Sequence, residues 1–476
     1  MKTIRAFGNK MFVVIVLSTL LSVPSYSADN SIEGIWMGAL KVSVAGLRVV
    51  FKISKNEDGS LKAAMDSPDQ GAENIPVSKV TFEDGKLHLE SQVVMGSYDG
   101  TLQPDGTIEG TWKQSGLSLP LVLKRTEEVP KLRRPQDPVK PYPYIEEDVV
   151  YENTDAGIKL AGTLTMPRAG GPFPAVILIS GSGAQDRNET IVGHRPFLVL
   201  ADYLTRKGIA VLRVDDRGVG GSTGNLLEST DEDLAGDVLA GVKFLKARKE
   251  IDPKKIGLIG HSEGGIVAPM AAVKSSDVVF IVLMAGPGLT GEEILYSQSD
   301  LGLKKHGVSE NVRAIQQKLL REIFEVFKTE RDEKIIKEKV REILKRNLEE
   351  PDEQASSELK NFIEIQSKVM NSRWYRSFVL YDPRPVLRKV KCPVLAMCGE
   401  LDLNVQPREN LASIEEALKT GGNKNYTIKK LPGLNHLFQH AKTGDVSEYA
   451  EIEETISPDV LEAISQWILE QTQKNK

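Results

Sequence analysis

Cysteine is scarce: Cys392 and Cys398 are the only two among 476 residues. A C-x5-C pair and six scattered histidines offer neither zinc-finger spacing nor a disulfide framework. If both cysteines lay on one strand, six residues would hold them ~20 Å apart, far beyond disulfide reach. A large apolar core must therefore stabilise the chain, and its length permits one. An excess of positive charge is also missing. Lys and Arg number 61 against 66 Asp and Glu, for a net charge of -5. That gives no electrostatic case for a nucleic-acid partner. No internal repeat or low-complexity tract is visible. With 40% hydrophobic and 27% charged residues and a mean hydropathy of -0.23, the balance is that of a globular protein. Collagen-like, disordered and polytopic membrane classes are excluded.

The first 28 residues read as an export signal. Lys2, Arg5 and Lys10 supply a positive start, and Met11 to Val23 an apolar run. Ser25-Tyr26-Ser27 is a small-x-small cleavage pattern. The apolar run is too short for a spanning helix, which needs ~20 residues. No cysteine follows it to carry a lipid, so no stable membrane anchor is expected. The expected location is the periplasm or the medium.

Residues 29–128 read as a small all-β, barrel-like domain. Asp58-Gly59, Asp84-Gly85, Asp99-Gly100 and Asp105-Gly106 punctuate short alternating runs. Asp-Gly supplies the positive φ that tight hairpin turns require. Strands are expected over Val42 to Ile53, Lys86 to Val94, Thr107 to Lys113 and Leu117 to Leu123. Residues 129–144 form a proline-rich linker with Pro130, Pro135, Pro138, Pro141 and Pro143, expected to be extended and semi-rigid. From residue 145 to the end, near-continuous apolar runs alternate with helical segments. They are Ala175–Ile179, Ile209–Val214, Lys255–Ile259, Val278–Met284, Val394–Met397 and Tyr426–Leu431. That pattern indicates a mostly parallel, doubly wound sheet covered on both faces. Residues 291–375 interrupt it with charged helices. There Val312, Ile315, Leu319, Ile323 and Phe327 recur at helical spacing, followed by Ile336, Val340, Ile343 and Leu348. This stretch is expected to form a cap over a site on the sheet.

Gly260-His261-Ser262-Glu263-Gly264 matches G-x-S-x-G. A chain of this composition carries about a quarter of a match by chance, so context must decide. A second match, Gly220-Gly221-Ser222-Thr223-Gly224, lies eight residues beyond its strand and precedes no apolar helix. Ser262 instead ends a strand and opens the helix Ile266–Ala272, as a nucleophile elbow demands. A hydroxyl needs a base beside it, and the base needs an acid to align it. Asp402, past the strand Val394–Met397, is the candidate acid, with Glu400 its rival. His436, past Tyr426–Leu431, is the candidate base, with His440 its competitor. His261 reads as a packing or gating residue, and His194 lies too far upstream for the chain order. Negative charge developing on a carbonyl oxygen calls for two backbone N–H donors. Glu263 supplies one. The loop Ser180-Gly181-Ser182-Gly183 supplies the other, from Ser182 or from its rival Gly183.

These motifs resemble the α/β-hydrolase fold, and more narrowly the bacterial esterases grouped with the serine aminopeptidases. The loop Ser180 to Arg187, the turn Asp216 to Ser222, Trp374-Tyr375-Arg376, Tyr381-Asp382-Pro383, Gly399 to Asp402 and Leu434 to His436 carry the resemblance, in order. The loop opens with Ser180 where the family commonly has histidine. The resemblance implies hydrolysis of a small-molecule ester through an acyl-serine intermediate, without cofactor or metal. Residues 29–128 resemble, more weakly, accessory β-domains fused to such esterases. Two other functions compete: a serine aminopeptidase on the same scaffold, and a non-catalytic protein holding an apolar ligand in its β-domain. Oligomeric state is not indicated.

Overall fold

The Asp-Gly turns close hairpins. In the computed structural model the described residues are 31–40, 47–70, 72–114, 117–129, 133–305, 307–347 and 367–473. The export segment lies outside them. Nine antiparallel strands follow: β1 (Gly34–Leu40), β2 (Leu47–Lys55), β3 (Leu61–Ser67), β4 (Ala72–Pro76), β5 (Lys79–Glu83), β6 (Lys86–Ser91), β7 (Gly96–Leu102), β8 (Ile108–Gln114) and β9 (Leu117–Thr126). Their spatial order is β4-β3-β2-β1-β9-β8-β7-β6-β5. The first strand therefore pairs with the last, and the sheet curls around one core as a half-barrel. Trp36, Phe51, Tyr98 and Trp112 fill that core, each at most 1% exposed. The Tyr98 hydroxyl donates to the Ile108 and Leu121 carbonyls, so the buried phenol is satisfied. The sequence reading found β2, β6, β8 and β9 but not the other five, whose alternation is shorter or weaker.

The proline-rich segment is not a free spacer. The Arg134 guanidinium donates to the Ile452 and Val192 carbonyls. Gln136 accepts from the amides of Thr455 and Ile456, and Asp137 pairs with Arg195 at 2.6 Å. These contacts hold residues 134–137 against the following domain.

That domain is built on eight strands: β10 (Ile145–Asn153), β11 (Ile158–Met166), β12 (Phe173–Ile179), β13 (Ala210–Val214), β14 (Ile251–His261), β15 (Val278–Met284), β16 (Val394–Gly399) and β17 (Tyr426–Leu431). Their order is β10-β11-β13-β12-β14-β15-β16-β17. β11 pairs antiparallel with both its neighbours, and every pair from β13 onward is parallel. This is the α/β-hydrolase sheet. The central strands are apolar throughout because helices cover both faces. Packed on them are α1 (Pro196–Arg206), α2 (Asp231–Lys246) and α3 (Gly264–Lys274).

Between β15 and β16 lies the helical insertion: α4 (Gly291–Lys305), α5 (Glu310–Thr329), α6 (Glu333–Asn347), α7 (Arg373–Leu380) and the short α8 (Arg384–Leu387). Its own core joins Leu320, Ile323, Phe324 and Phe327 of α5 to Ile336, Val340 and Leu344 of α6 and Val379 of α7. The expected stripe on α5 holds only in its second half. Val312 is 50% and Ile315 57% exposed. Arg346, at the end of α6, pairs with Glu322, so α6 does not run back to the first turns of α5. Leu348 lies outside the described residues. After β16 come α9 (Pro407–Thr420) and, last, α10 (Pro458–Gln473). Among the described residues no helix is long and apolar enough to cross a membrane.

The β-domain core generates a test. Trp112 is 1% exposed and its ring lies 5.9 Å from that of Phe51. Trp112→Ala should cost about 3–5 kcal/mol of that domain's unfolding free energy, read from its urea transition by near-UV circular dichroism.

Candidate active site

Every loop of the site leaves the carboxyl edge of the sheet, where such sheets place their ligand chemistry. β14 ends at His261, and Ser262 follows with φ at +51°. A non-glycine residue in that left-handed region is strained. The turn needs glycine on both sides. A Cβ on Gly260 would lie 2.0 Å from the Gly264 carbonyl oxygen, and one on Gly264 2.2 Å from that of Ile179. The Ser262 amide donates to Met284 O at 2.9 Å, fixing the turn against β15.

Asp402 sits past β16 and is 2% exposed. Its Oδ1 accepts from the Asn404 and Val405 amides, both at 2.8 Å. Its Oδ2 meets His436 Nδ1 at 2.8 Å and accepts from the Cys398 thiol at 3.3 Å. Four donors thus surround the carboxylate and aim it at the imidazole. Cys392 and Cys398 are both free thiols, and burial pushes both thiols up. His436, in the loop past β17, is 6% exposed. Its ring centroid lies 4.9 Å from that of His261, the residue before Ser262. Among the described residues the Ser262 hydroxyl makes no hydrogen bond with the His436 ring. Such contacts commonly tighten only when substrate is bound.

The rivals are engaged elsewhere. Glu400 pairs with Lys430 at 2.7 Å on the surface. His440 is tied to Glu454. His194 is buried among Thr455, the Tyr449 carbonyl and Gln439, and burial holds it down at about 4. The Ser222 hydroxyl donates to Asp215 O and accepts from the Ala161 amide. It closes a loop onto β11.

Two findings bear on the oxyanion loop. The Gly181 amide is taken by Glu189 Oε1 at 2.6 Å, which leaves Ser182 and Gly183 as the loop's candidate donors. Asp216 holds the loop from below, accepting from the Ser180 hydroxyl at 2.8 Å and the Gln185 amide at 2.9 Å. Ser180 is thereby the loop's tether to Asp216, just past β13.

The Glu263 side chain is almost wholly buried, at 3% exposure, beside the loop of Gly181 and Gly183. Its Oε1 accepts from the Trp374 indole at 2.7 Å. Its Oε2 and the Oδ1 of Asp231 are both buried and face no donor. Burial first, then the charge of Asp231, holds Glu263 well above the usual carboxyl range, and burial raises Asp231 too. Two adjacent buried carboxyls cannot both ionise, so they share a proton. Asp231 also accepts from Ser377 at 3.0 Å. Trp374 and Ser377 lie on α7, so this acid pair fastens the insertion to the elbow. Glu189, Asp216, Asp231 and Cys398 were not singled out as site residues in the sequence, because no local pattern marks a carboxylate whose partner lies tens of residues away. Among the described residues no cluster of His, Cys, Asp and Glu could hold a metal ion.

Burial pushes Asp216 up to about 7, against its two donors. Its proton is held more tightly in the folded chain than in the unfolded one, where the value is ~3.9. The stabilisation is full below about pH 4 and is lost as the pH rises through about 7. The melting temperature of the wild type should therefore fall relative to that of Asp216→Asn between about pH 5 and about pH 8, as read by calorimetry across that range.

The sequence profile of the family described as "Serine aminopeptidase, S33" matches residues 195–442. Esterase EstD of Thermotoga maritima is 27% identical over 332 residues, covering 70% of this chain and 68% of that protein. Esterase FrsA of Yersinia pestis is 29% identical over 166 residues, 35% of this chain and 37% of its own. Among solved structures, the Pyrococcus furiosus esterase Pf2001 aligns with a TM-score of 0.43 at 18% identity, over 72% of this chain and 98% of that one. Profile, strand order and elbow agree: the chain belongs to the serine aminopeptidase S33 family of α/β hydrolases.

Proposed function

We propose that this hydrolase cleaves carboxylic esters of small molecules through an acyl-serine intermediate. The observation that carries the reading is the Asp402–His436 contact of 2.8 Å in the loops beside a strained Ser262. His436 takes the Ser262 proton as the hydroxyl oxygen attacks the ester carbonyl. Asp402 holds Nδ1–H and so presents Nε2 as the base. The amides of Glu263 and Ser182 stabilise the oxyanion. The tetrahedral intermediate collapses as His436 protonates the departing alcohol. Water, deprotonated by the same ring, then attacks the acyl-serine and releases the acid. The esterase names of the related proteins support small esters as substrates.

A peptidase reading draws on the family's description and would need acidic groups free to bind an α-amino group. The buried acids around the elbow are engaged: Glu189 with Gly181 and His261, and Asp231 and Glu263 with Ser377, Trp374 and each other. That favours esters. In a p-nitrophenyl ester chain-length series, Ser262→Ala should lose at least about 10³-fold in kcat, and Asp402→Asn should lose heavily with KM nearly kept. Retained turnover in Ser262→Ala would reject the assignment. Faster cleavage of aminoacyl-anilides than of acyl esters would favour the peptidase, and failure of the whole chain to label with a fluorophosphonate would favour a binding role.

Export is part of the same proposal. Residues 1–28 should be absent from protein recovered from the periplasm or the medium, and N-terminal sequencing should start at or next to Asp29. An intact start at Met1 would overturn it.

A further inference from the structure

Glu189 and His261 are almost completely buried, at 1% and 4% exposure, and neither has a role in the chemistry above. Glu189 lies in the loop between β12 and α1 with φ at +52°, a conformation costly for a residue with a Cβ. One of its oxygens, Oε1, accepts from the Gly181 amide at 2.6 Å and faces His261 Nδ1 at 2.8 Å. The other ring nitrogen, Nε2, faces the carbonyl oxygen of His436 at 3.1 Å. A carboxylate and a carbonyl can only accept, so both ring nitrogens must donate. A neutral imidazole carries one N–H and would set a lone pair against one of these oxygens. An imidazolium carries two and satisfies both, with Glu189 balancing its charge. Burial works against the cation, but the charge and hydrogen bond of Glu189, the His436 carbonyl and the charge of Asp402 together outweigh it, and the ring's proton affinity is raised.

The pair therefore touches three loops at once. It holds Gly181 at the start of the oxyanion loop. It forms the residue before the nucleophile. It grips the backbone of the proposed base. The groups facing the His261 ring are Glu189 from the loop after β12, Asp402 from the loop after β16, and the His436 ring and Phe438 edge from the loop after β17.

We infer that the Glu189–His261 ion pair is a positioning device that sets the oxyanion loop and the histidine loop in register with Ser262. It moves no proton in the reaction. The inference rests on Ser262 being the nucleophile, but its first test does not. In the wild-type protein with 15N-labelled histidine, the ring nitrogens of His261 should both stay protonated above the pH at which an ordinary histidine (about 6.5) becomes neutral. The signal is assigned by its loss in His261→Asn. In Glu189→Gln, which keeps the shape and removes the charge, His261 should revert to one protonated nitrogen. A singly protonated His261 in the wild type would overturn the inference.

The second test is kinetic. Glu189→Gln and His261→Asn should each lower kcat on a short-chain ester by about 10²-fold, with KM changed by no more than about threefold. Because the two residues act as one unit, the double variant should be no slower than the worse single variant. Losses that multiply, or that appear in KM alone, would overturn the positioning role. Inactive Ser262→Ala beside an intact doubly protonated His261 separates a failure here from a failure of the esterase assignment.

Discussion

The left-handed backbone at Ser262 is the constraint on which the rest of the site hangs. A strand of the sheet turns into α3 within two residues, and φ of +51° at Ser262 is tolerated only because the surroundings determine it. Gly260 and Gly264 let Gly264 O and Ile179 O approach to distances no Cβ would survive. The Ser262 amide is bonded across to β15. The result sets Ser262 in the turn between β14 and α3, with Glu263 at the start of that helix. The strain is held by the sheet beneath, where β12, β15 and the second half of β14, from Ile256, are almost wholly buried.

Around that turn the protein arranges charge with few spare donors or acceptors. Asp402 is buried, and four donors supply what water would otherwise give it. Glu263 and Asp231 are buried as well, yet they lack enough donors, and a shared proton resolves the deficit. Asp216 is intermediate: two donors do not offset its desolvation, and it is pushed up to about 7. Asp216 and the Glu263–Asp231 pair hold protons more tightly than ordinary carboxyls because burial outweighs the few donors aimed at them. The insertion takes part through Trp374 and Ser377, so it is bonded to the elbow as well as lying over the sheet.

Much of this was legible in the chain. A parallel strand covered on both faces is written as an unbroken apolar run, which is why Val278–Met284 matches β15 end to end. β10, alternating at the sheet's edge, and β11, whose buried run is broken by Gly162 and threonines, carry a weaker signal. The elbow was legible because its steric demands are local: two glycines, a strand before and a helix after. The first turns of α5 misled because helical spacing shows a stripe but not how far its partner reaches.

By itself the sequence determined the class of fold and the strand–serine–helix elbow. Each of these follows from neighbours in sequence, through strand and helix periodicity and the space a Cβ needs. Only the tertiary structure decided that Asp402 rather than Glu400 meets His436, that Glu189 reaches both Gly181 and His261, and that Asp231 lies against Glu263. Those contacts span 34, 8, 72 and about 32 positions. They depend on where the crossover connections return each loop, and no local pattern of residue types encodes that distance.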